Sequence, residues 1–280
     1  MYQWEKGISL SFFQNEQGEC VGGDKVVLDK VRSYGFDCVE LSFSHDDYFK
    51  KYRFTEGDNA EQLFQYCESI GLKIWSIHLP FSDVWDLSCD DAQKALQDDV
   101  KLLEAAGRAN ISVAVIHPSF EPIAEEARNK RLSNAKKNLK ILNQVAKENG
   151  IVLALENLPR TCLGNTSEEM LSLLNETGAA FIFDTNHSLS EDNVSFLQNM
   201  IQHGYCPVLL HISDYDYVDE RHDLPGNGVN DWKKLLTMLR DGGYKGPALY
   251  EIRHKVSAER TISLEEIADN IALLINGDIK

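Results

Sequence analysis

Residues 151–187 read IVLALENLPRTCLGNTSEEMLSLLNETGAAFIFDTNH, and this stretch contains the pattern that decides the fold. Two short runs, Val152–Glu156 and Phe181–Asp184, are rich in apolar residues, as strands buried on both faces of a parallel sheet are. Between them lies an amphipathic stretch, Ser167–Thr177, with Ser167 as the expected N-cap and Gly178 as the left-handed residue that ends a helix. The stretch therefore predicts one strand–helix–strand unit.

The same alternation continues in both directions along the chain. Eight strands alternating with eight helices predict a single-domain α/β protein, a (β/α)₈ TIM barrel covering residues 1–280. An open doubly wound sheet is the competing architecture, but residues 18–23 after the first strand do not match the motif G-x-G-x-x-G. The predicted strands are Ile8–Phe13, Cys38–Phe43, Ile74–Leu79, Val113–His117, Val152–Glu156, Phe181–Asp184, Val208–Ile212 and Ala248–Ile252. The predicted helices are Asp24–Tyr34, Asn59–Ile70, Asp90–Ala106 (ended by Gly107), Asn129–Asn149, Ser167–Thr177, Asn193–Gly204, Asp231–Asp241 and Ser263–Ile275.

Composition and charge narrow the classes of function. The chain has 280 residues, 43% of them hydrophobic, and six widely spaced cysteines that form no C-x-x-C pair. It contains no apolar run of about 18–20 residues and no basic-then-apolar leader, which predicts a cytoplasmic protein without a membrane partner. The net charge of −16 disfavours nucleic acid as a partner, because a negative field repels phosphates.

Acidic and imidazole side chains end six consecutive predicted strands. Active-site residues of barrel enzymes lie at the carboxyl ends of the strands, so these side chains are expected on one rim. Burying several carboxylates together is costly unless a cation or bound protons relieve their repulsion. A divalent metal ion is the simplest compensation. The strand ends carry His78, His117, Glu156, Asp184 with His187, His211 and Glu251.

Three carboxylates and one imidazole, without a thiolate, form the expected ligand set: Glu156, Asp184, His211 and Glu251. This mixture suits one Mn²⁺, Mg²⁺, Co²⁺ or Zn²⁺ ion with open coordination positions. A metal that holds a carbonyl and its neighbouring hydroxyl lowers the cost of forming an enediolate, while carboxylates on opposite sides move the proton. The expected substrate is therefore small and rich in oxygen.

The ordered strand ends resemble the xylose-isomerase-like barrel superfamily. The resemblance rests on Leu155–Asn157, Asp184–His187, Leu210–Asp214, His222–Trp232 and Tyr250-Glu251. It implies a metal-dependent isomerase or epimerase of a small sugar, ketose or sugar phosphate. The family's metal ligands match Glu156, Asp184, His211 and Glu251; its acid and base match Glu156 and Glu251; and His187 would contact substrate oxygens. The stretch Pro225–Gly228 resembles the family's P-G-x-G turn, with Asn227 in place of the usual acidic residue.

A second branch of the superfamily, the endonuclease-IV-type enzymes, binds three zinc ions. Its additional ligands would map onto His78, His117, His187, Glu220 and His222, so the ligand set alone leaves a multinuclear phosphoesterase open. A repair enzyme must meet DNA phosphates with basic residues. Here the loops at 81–86 and 214–220 are acidic and the loop at 44–53 is mixed in sign, which favours the sugar branch. A third alternative is a catalytically inactive carbohydrate-binding barrel.

Other side chains near the expected mouth are candidates for substrate binding. In the sugar branch, His78, His117 and His222 would contact the substrate or support the structure. Arg253 lies two residues beyond Glu251, so strand parity points both the same way, toward a substrate oxygen or phosphate or an ion pair with a carboxylate. Trp85 lies in a predicted loop and is a candidate lid over the site, whereas Trp75 is interpreted as a residue of the hydrophobic core. Barrels of this kind often pair, so a homo-oligomer also stays open.

Overall fold

A computed structural model describes residues 4–43, 51–257 and 260–279 of the chain. Within these ranges, eight strands alternate with eight α-helices. The strands are β1 (Lys6–Ser9), β2 (Cys38–Ser42), β3 (Lys73–His78), β4 (Val113–Ile116), β5 (Val152–Glu156), β6 (Ala180–Asp184), β7 (Leu209–His211) and β8 (Ala248–Tyr250). The helices are α1 (Lys25–Ser33), α2 (Asn59–Ser69), α3 (Gln93–Arg108), α4 (Glu125–Glu148), α5 (Ser167–Thr177), α6 (Asn193–Gln202), α7 (Trp232–Asp241) and α8 (Leu264–Asn276).

The strands pair in sequence order, and every ladder between them is parallel. β1 also pairs with β8. The remaining gap, between β7 and β8, is bridged by hydrogen bonds from the Ile212 N–H to the Leu249 carbonyl (2.8 Å) and from the Glu251 N–H to the Ile212 carbonyl (3.1 Å). The predicted single-domain (β/α)₈ barrel is therefore confirmed as the fold.

Side-chain parity divides the barrel interior into layers. At the amino ends of the strands, inward-facing apolar side chains form a plug, against which Trp75 packs as expected of a core residue. Two residues further along each strand, the same parity turns Glu156, Asp184 and His211 inward, because successive side chains of a strand point to opposite faces. The plug consists of Val113, Val115, Ala154, Ile182, Leu209 and Leu249.

Most helix boundaries lie within one or two residues of the prediction, but α4 begins at Glu125 and not at Asn129, α3 begins at Gln93 and not at Asp90, and two caps differ. The N-cap of α5 is Thr166, whose hydroxyl accepts the Glu169 N–H, so the expectation that Ser167 is the cap is wrong by one residue. Gly107 does not end a helix, because α3 continues to Arg108 and Asn110 takes the left-handed conformation, with φ of 57°. Asn tolerates this region better than most residues, since its short polar side chain can bond locally.

No helix in the described ranges is long and apolar enough to cross a membrane. Residues 44–50, which include most of the loop predicted to be mixed in sign, and residues 1–3 of the expected leaderless start lie outside the described part of the chain.

Candidate metal centre and cavity

A cavity of about 250 Å³ opens at the carboxyl ends of the strands. Its lining includes seven of the predicted site residues, which lie on β3 and β5 or in the segments that follow β4, β6, β7 and β8. The structure therefore brings residues that are up to 175 positions apart, from His78 to Arg253, to one opening. The seven are His78, His117, Glu156, His187, His222, Glu251 and Arg253.

Glu156, Asp184, His211 and Glu251 converge beneath this cavity, and we call them the four-residue cluster. His211 Nδ1 lies 3.1 Å from Glu156 Oε1 and 3.1 Å from Glu251 Oε2. Asp184 Oδ2 is 3.8 Å from the same nitrogen. One ligand atom from each side chain lies within 4.8 Å of the others, so a single ion could reach all four.

The donor set of the four-residue cluster fits a divalent cation. Asp184 is fully buried, and its Oδ2 has no hydrogen-bond partner, while its Oδ1 accepts the Asn186 N–H at 2.5 Å. A buried carboxylate oxygen without a partner carries an uncompensated cost, which a cation would relieve. Carboxylate oxygens with one imidazole nitrogen suit Mn²⁺, Mg²⁺, Co²⁺ or Zn²⁺.

The protonation of the four-residue cluster follows from its charges. Burial opposes a positive His211, but the carboxylates of Glu40, Glu251 and Glu156 raise the pKa of His211 well above its ordinary value. Burial, reinforced by Glu156 and Glu251, raises the pKa of Asp184 well above its usual range. Although burial opposes it, His211 holds the pKa values of Glu156 and Glu251 below theirs. Without a cation, these shifts favour the proton on His211 and on Asp184 and the ionised form of both glutamates.

Two further histidines contact the second oxygen of Glu156. His78 Nε2 lies 3.1 Å and His117 Nε2 3.2 Å from Glu156 Oε2. Phe81 stacks on the His117 ring, with centroids 4.3 Å apart. Burial opposes a charged His78, but its bond to Glu156 raises the pKa of His78, whereas burial dominates at His117 and lowers its pKa.

His187, Glu220 and His222 form a second group, the mouth triad, whose ligand atoms also lie within 4.8 Å of one another. His187 Nε2 is 3.3 Å from Glu220 Oε1. Glu220 is held by Arg160 at 3.3 Å and by Arg253 at 3.6 Å. Arg253 thus lines the cavity and forms an ion pair with a carboxylate, so both of the roles considered for it remain compatible with its position.

The P-G-x-G stretch is held in place by Asp214, which follows β7. Asp214 Oδ2 accepts the Gly226 N–H and the Trp232 indole N–H, each at 2.9 Å. A Cβ on Gly228 would lie 2.2 Å from the Tyr215 carbonyl oxygen and 2.4 Å from Asp214 Oδ1. Glycine is therefore required here by close backbone approach. The turn belongs to the same segment after β7 that carries Glu220 and His222.

Trp85 does not line the described cavity. Its indole N–H donates to Asp98 on α3 at 3.1 Å, and Lys94 lies 4.5 Å from its ring centroid. The structure thus docks Trp85 on a helix, and the expectation of a lid over the substrate is not met by its position. The aromatic wall of the cavity comes instead from Phe81 and Phe120.

Sequence reasoning missed Glu40, which is fully buried on β2 and contacts His211 Nε2 at 3.0 Å. A lone carboxylate in an otherwise apolar buried strand was the available signal, because such a residue is almost never fully buried unless it is paired. It also missed Phe120, Glu121, Leu158, Pro159 and Cys162 as lining residues.

Comparison with known proteins places these features in context. A family model described as xylose isomerase-like TIM barrel matches residues 28–275. No curated protein matches the chain.

Solved structures share the architecture over almost the whole chain. A D-tagatose 3-epimerase-like protein is 20% identical, with a TM-score of 0.77 and 98% of both chains covered. D-psicose 3-epimerase from Clostridium cellulolyticum H10 is 18% identical, with a TM-score of 0.77 and coverage of 98% of this chain and 99% of that chain. A 3-keto-D-glucoside 4-epimerase from E. coli is 21% identical, with a TM-score of 0.74 and coverage of 98% and 100%. At these identities, the likeness establishes the fold.

Proposed function

The chain belongs to the xylose isomerase-like TIM barrel family, and from that premise we propose that it is a divalent-metal-dependent isomerase or epimerase of a small sugar or sugar phosphate. The observation that carries the proposal is the convergence of Glu156 and Glu251 on one atom, His211 Nδ1, at 3.1 Å each. They come from β5 and β8, so their carboxylates approach from different sides of the barrel axis.

This placement suits a base and an acid acting on one carbon. The pKa values of Glu156 and Glu251 are both held below their ordinary value, so either carboxylate is ready to accept a proton. We assign removal of the proton to one glutamate and its return to the other, a division of labour that needs carboxylates on two sides of a substrate. Because the same glutamate oxygens would also bind the cation, the cation would fix their position relative to the bound substrate.

Glu156, Asp184, His211 and Glu251 would hold the cation. When bound, it would polarise a sugar carbonyl and the neighbouring hydroxyl, which makes the hydrogen on the hydroxyl-bearing carbon easier to remove. The chain's other residues then bind and orient the sugar. His187 and His222 both lie at the mouth, and their Nδ1–H groups donate to the backbone carbonyls of Asn157 and Glu251. Nε2 of His187 lies 3.3 Å from Glu220 Oε1, so a sugar oxygen bound there would share or replace that contact.

The cavity favours a small, partly apolar guest. Its volume of about 250 Å³ is below the ~300–1,000 Å³ typical of sites for drug-sized ligands. Phe81, Phe120 and Leu158 form one part of its lining, and the histidines and glutamates form another. A sugar presents both an apolar ring face and hydroxyl groups, so it matches this division.

Hydrogen exchange at the substrate's α-carbon tests the proposal. Ketoses and ketose phosphates are incubated with Mn²⁺-loaded protein in D₂O, and deuterium uptake is followed by NMR. We expect uptake with at least one sugar, and a loss of about 10²–10⁴-fold in Glu156→Gln and Glu251→Gln. Glu148→Gln, an exposed glutamate on α4, is the matched control. Uptake that both cavity variants retained would remove these residues from proton transfer.

A multinuclear phosphoesterase is the second candidate, and one observation favours it. His78 and His117 both place Nε2 next to Glu156 Oε2, and the mouth triad offers three further ligand atoms close together. The described residues therefore offer ligand atoms for more than one metal ion. The net charge of −16 and the three carboxylates around Arg160, namely Glu121, Asp219 and Glu220, count against a polyanionic substrate.

Metal content separates the candidate functions. One ion per chain in protein purified without chelator supports the sugar enzyme. Three ions together with metal-dependent cleavage of an abasic-site duplex would support the phosphoesterase. No bound metal, with retained sugar binding, would support the inactive carbohydrate-binding barrel.

A further inference from the structure

Glu40 lies on β2, contacts His211 of the four-residue cluster and is not among the residues that line the cavity. It is fully buried on β2. Glu40 Oε2 accepts the His211 Nε2–H at 3.2 Å and the Ser76 hydroxyl at 2.8 Å. Oε1 lies 3.0 Å from the same nitrogen but accepts no hydrogen bond. A buried carboxylate is stable only when donors surround it, and these are the two donors that the structure provides among the described residues.

The contact distinguishes His211 from other histidines at the cavity. His78, His187 and His222 each place Nδ1 against a backbone carbonyl, at 2.8, 2.9 and 3.1 Å. A carbonyl oxygen only accepts, so Nδ1 carries the proton in these residues and Nε2 faces the cavity. His211 is turned the other way: its Nε2 meets a carboxylate, and its Nδ1 meets Glu156, Asp184 and Glu251.

We propose that Glu40 is a positioning residue for the metal centre: it accepts the Nε2–H of His211, so that the Nδ1 lone pair is presented to the cation. Ser76 fixes the orientation of the Glu40 carboxylate from β3. A carboxylate in this place does more than a carbonyl, since its negative charge makes the imidazole a stronger ligand. The inference rests on the proposed function only in taking a divalent cation as the cluster's ligand.

The arrangement also explains why a charge is buried so deeply. The imidazole ring of His211 separates Glu40 from Glu156 and Glu251, with one nitrogen on each side, so Glu40 would act on a cation through the ring. Its partner His211 is fixed at both ends, by Glu40 on one nitrogen and by Glu156 and Glu251 on the other. A ring held in this way cannot flip without losing a bond to a buried carboxylate, which costs more than losing a neutral one.

Mn²⁺ affinity of purified, chelator-treated protein, measured by calorimetry without any sugar, tests the role. We expect Glu40→Gln to weaken Mn²⁺ binding about 10–100-fold, and Ser76→Ala to weaken it less, because the carboxylate remains. Asp99→Asn is the matched control: Asp99 is a buried carboxylate on α3, outside the cavity, and its variant should bind Mn²⁺ as the wild type does. Wild-type affinity in Glu40→Gln would overturn the proposal.

Nitrogen-15 NMR of the Zn²⁺-loaded protein labelled at histidine gives a readout that a merely structural role would not move. We expect His211 to show a protonated Nε2 and a metal-bound Nδ1 in the wild type. A spectrum with zinc on Nε2 would refute the assignment even if Glu40→Gln failed to fold. Because neither measurement involves a sugar, failure of the isomerase proposal would leave both results interpretable.

Discussion

Replacing Asp184 by asparagine separates the cost of the buried carboxylate from its use as a ligand. Asp184 is fully buried, and burial together with Glu156 and Glu251 raises its pKa well above the ordinary value of 3.8. Above pH 3.8 the unfolded chain gains stability by ionising this group while the folded protein keeps it protonated. The free energy of unfolding therefore falls as pH rises from 3.8 toward the folded pKa. Asp184→Asn removes this loss, because an amide does not ionise.

The stabilisation of the folded protein by a bound metal ion follows from mass action. A cation present at 100 times its Kd stabilises the folded state by about 2.7 kcal/mol. A chain of 280 residues has an unfolding entropy of about 0.6 kcal/mol/K near its melting temperature, so the expected rise in Tm is about 4–5 °C. In Asp184→Asn we expect this metal-dependent rise to fall below about 1 °C at the same Mn²⁺ concentration, while the metal-free Tm at pH 7 equals or exceeds that of the wild type.

Differential scanning calorimetry at pH 7, with EDTA or with Mn²⁺, measures both effects. Asp99→Asn is the matched control, because Asp99 is 1% exposed, has an unpartnered Oδ1, and has a pKa raised by burial. It should show the same metal-free gain as Asp184→Asn and retain the full metal-dependent rise. If Asp184→Asn kept the wild-type rise with Mn²⁺, Asp184 would not be a ligand and the reasoning about the cluster would be wrong.

Three further outcomes are expected. The raised pKa of His211 favours a proton where the proposed cation would bind, so Mn²⁺ affinity should increase by up to about tenfold per pH unit per displaced proton until the pH passes that pKa. Calorimetry in two buffers of different ionisation enthalpy would detect the displaced proton, and a flat affinity from pH 6 to 8 would contradict this expectation. Gly228→Ala should lower the free energy of unfolding in urea by at least about 3 kcal/mol, because its Cβ would lie 2.2 Å from the Tyr215 carbonyl oxygen. Gly18→Ala, where φ is 80° and no atom lies near the added Cβ, should lower it by about 1–2 kcal/mol. Equal losses in the two variants would show that the loop at Gly228 shifts to accommodate the methyl group. Trp85→Phe should lose about 0.5–1.5 kcal/mol of stability through its missing indole bond and leave KM unchanged; a tenfold rise in KM would restore the lid role.

The barrel was predictable because its strands are buried on both faces and its helices on one. That difference gives short continuous apolar runs and longer periodic ones, which the sequence displays directly. The exact ends of the strands and helices were harder to predict from the sequence. β1 ends at Ser9 and a 3₁₀ turn follows over Leu10–Phe12. Leu10 and Phe12 are buried just as strand residues are, so the apolar pattern extended the predicted strand to Phe13.

The four-residue cluster was predictable for a geometric reason. Parallel strands bring their carboxyl ends to one rim, so a polar residue that ends a strand has a known destination. Glu40 sits in the middle of β2, where parity gives its direction but the partner depends on barrel closure: His211 is 171 residues away. The position of Trp85 was hard to predict for a related reason, because its indole bonds Asp98, a residue of α3, which the local sequence of the loop does not reveal.

The two candidate functions require the same chemistry at His211 but differ in what they require at His78. In both, a cation takes the place of the proton that lets His211 Nδ1 lie 3.1 Å from two ionised carboxylates. His78 donates its Nδ1–H to the Leu79 carbonyl, so its Nε2, 3.1 Å from Glu156 Oε2, must also carry a proton or face a cation. The bond to Glu156 raises the pKa of His78, although burial opposes it, and so favours that proton; Glu156 then has a histidine partner on each oxygen. A sugar enzyme with one ion would leave the His78 proton in place, whereas a multinuclear enzyme that used His78 as a ligand would displace it, so the protonation of His78 Nε2 in the metal-loaded protein distinguishes the two candidates.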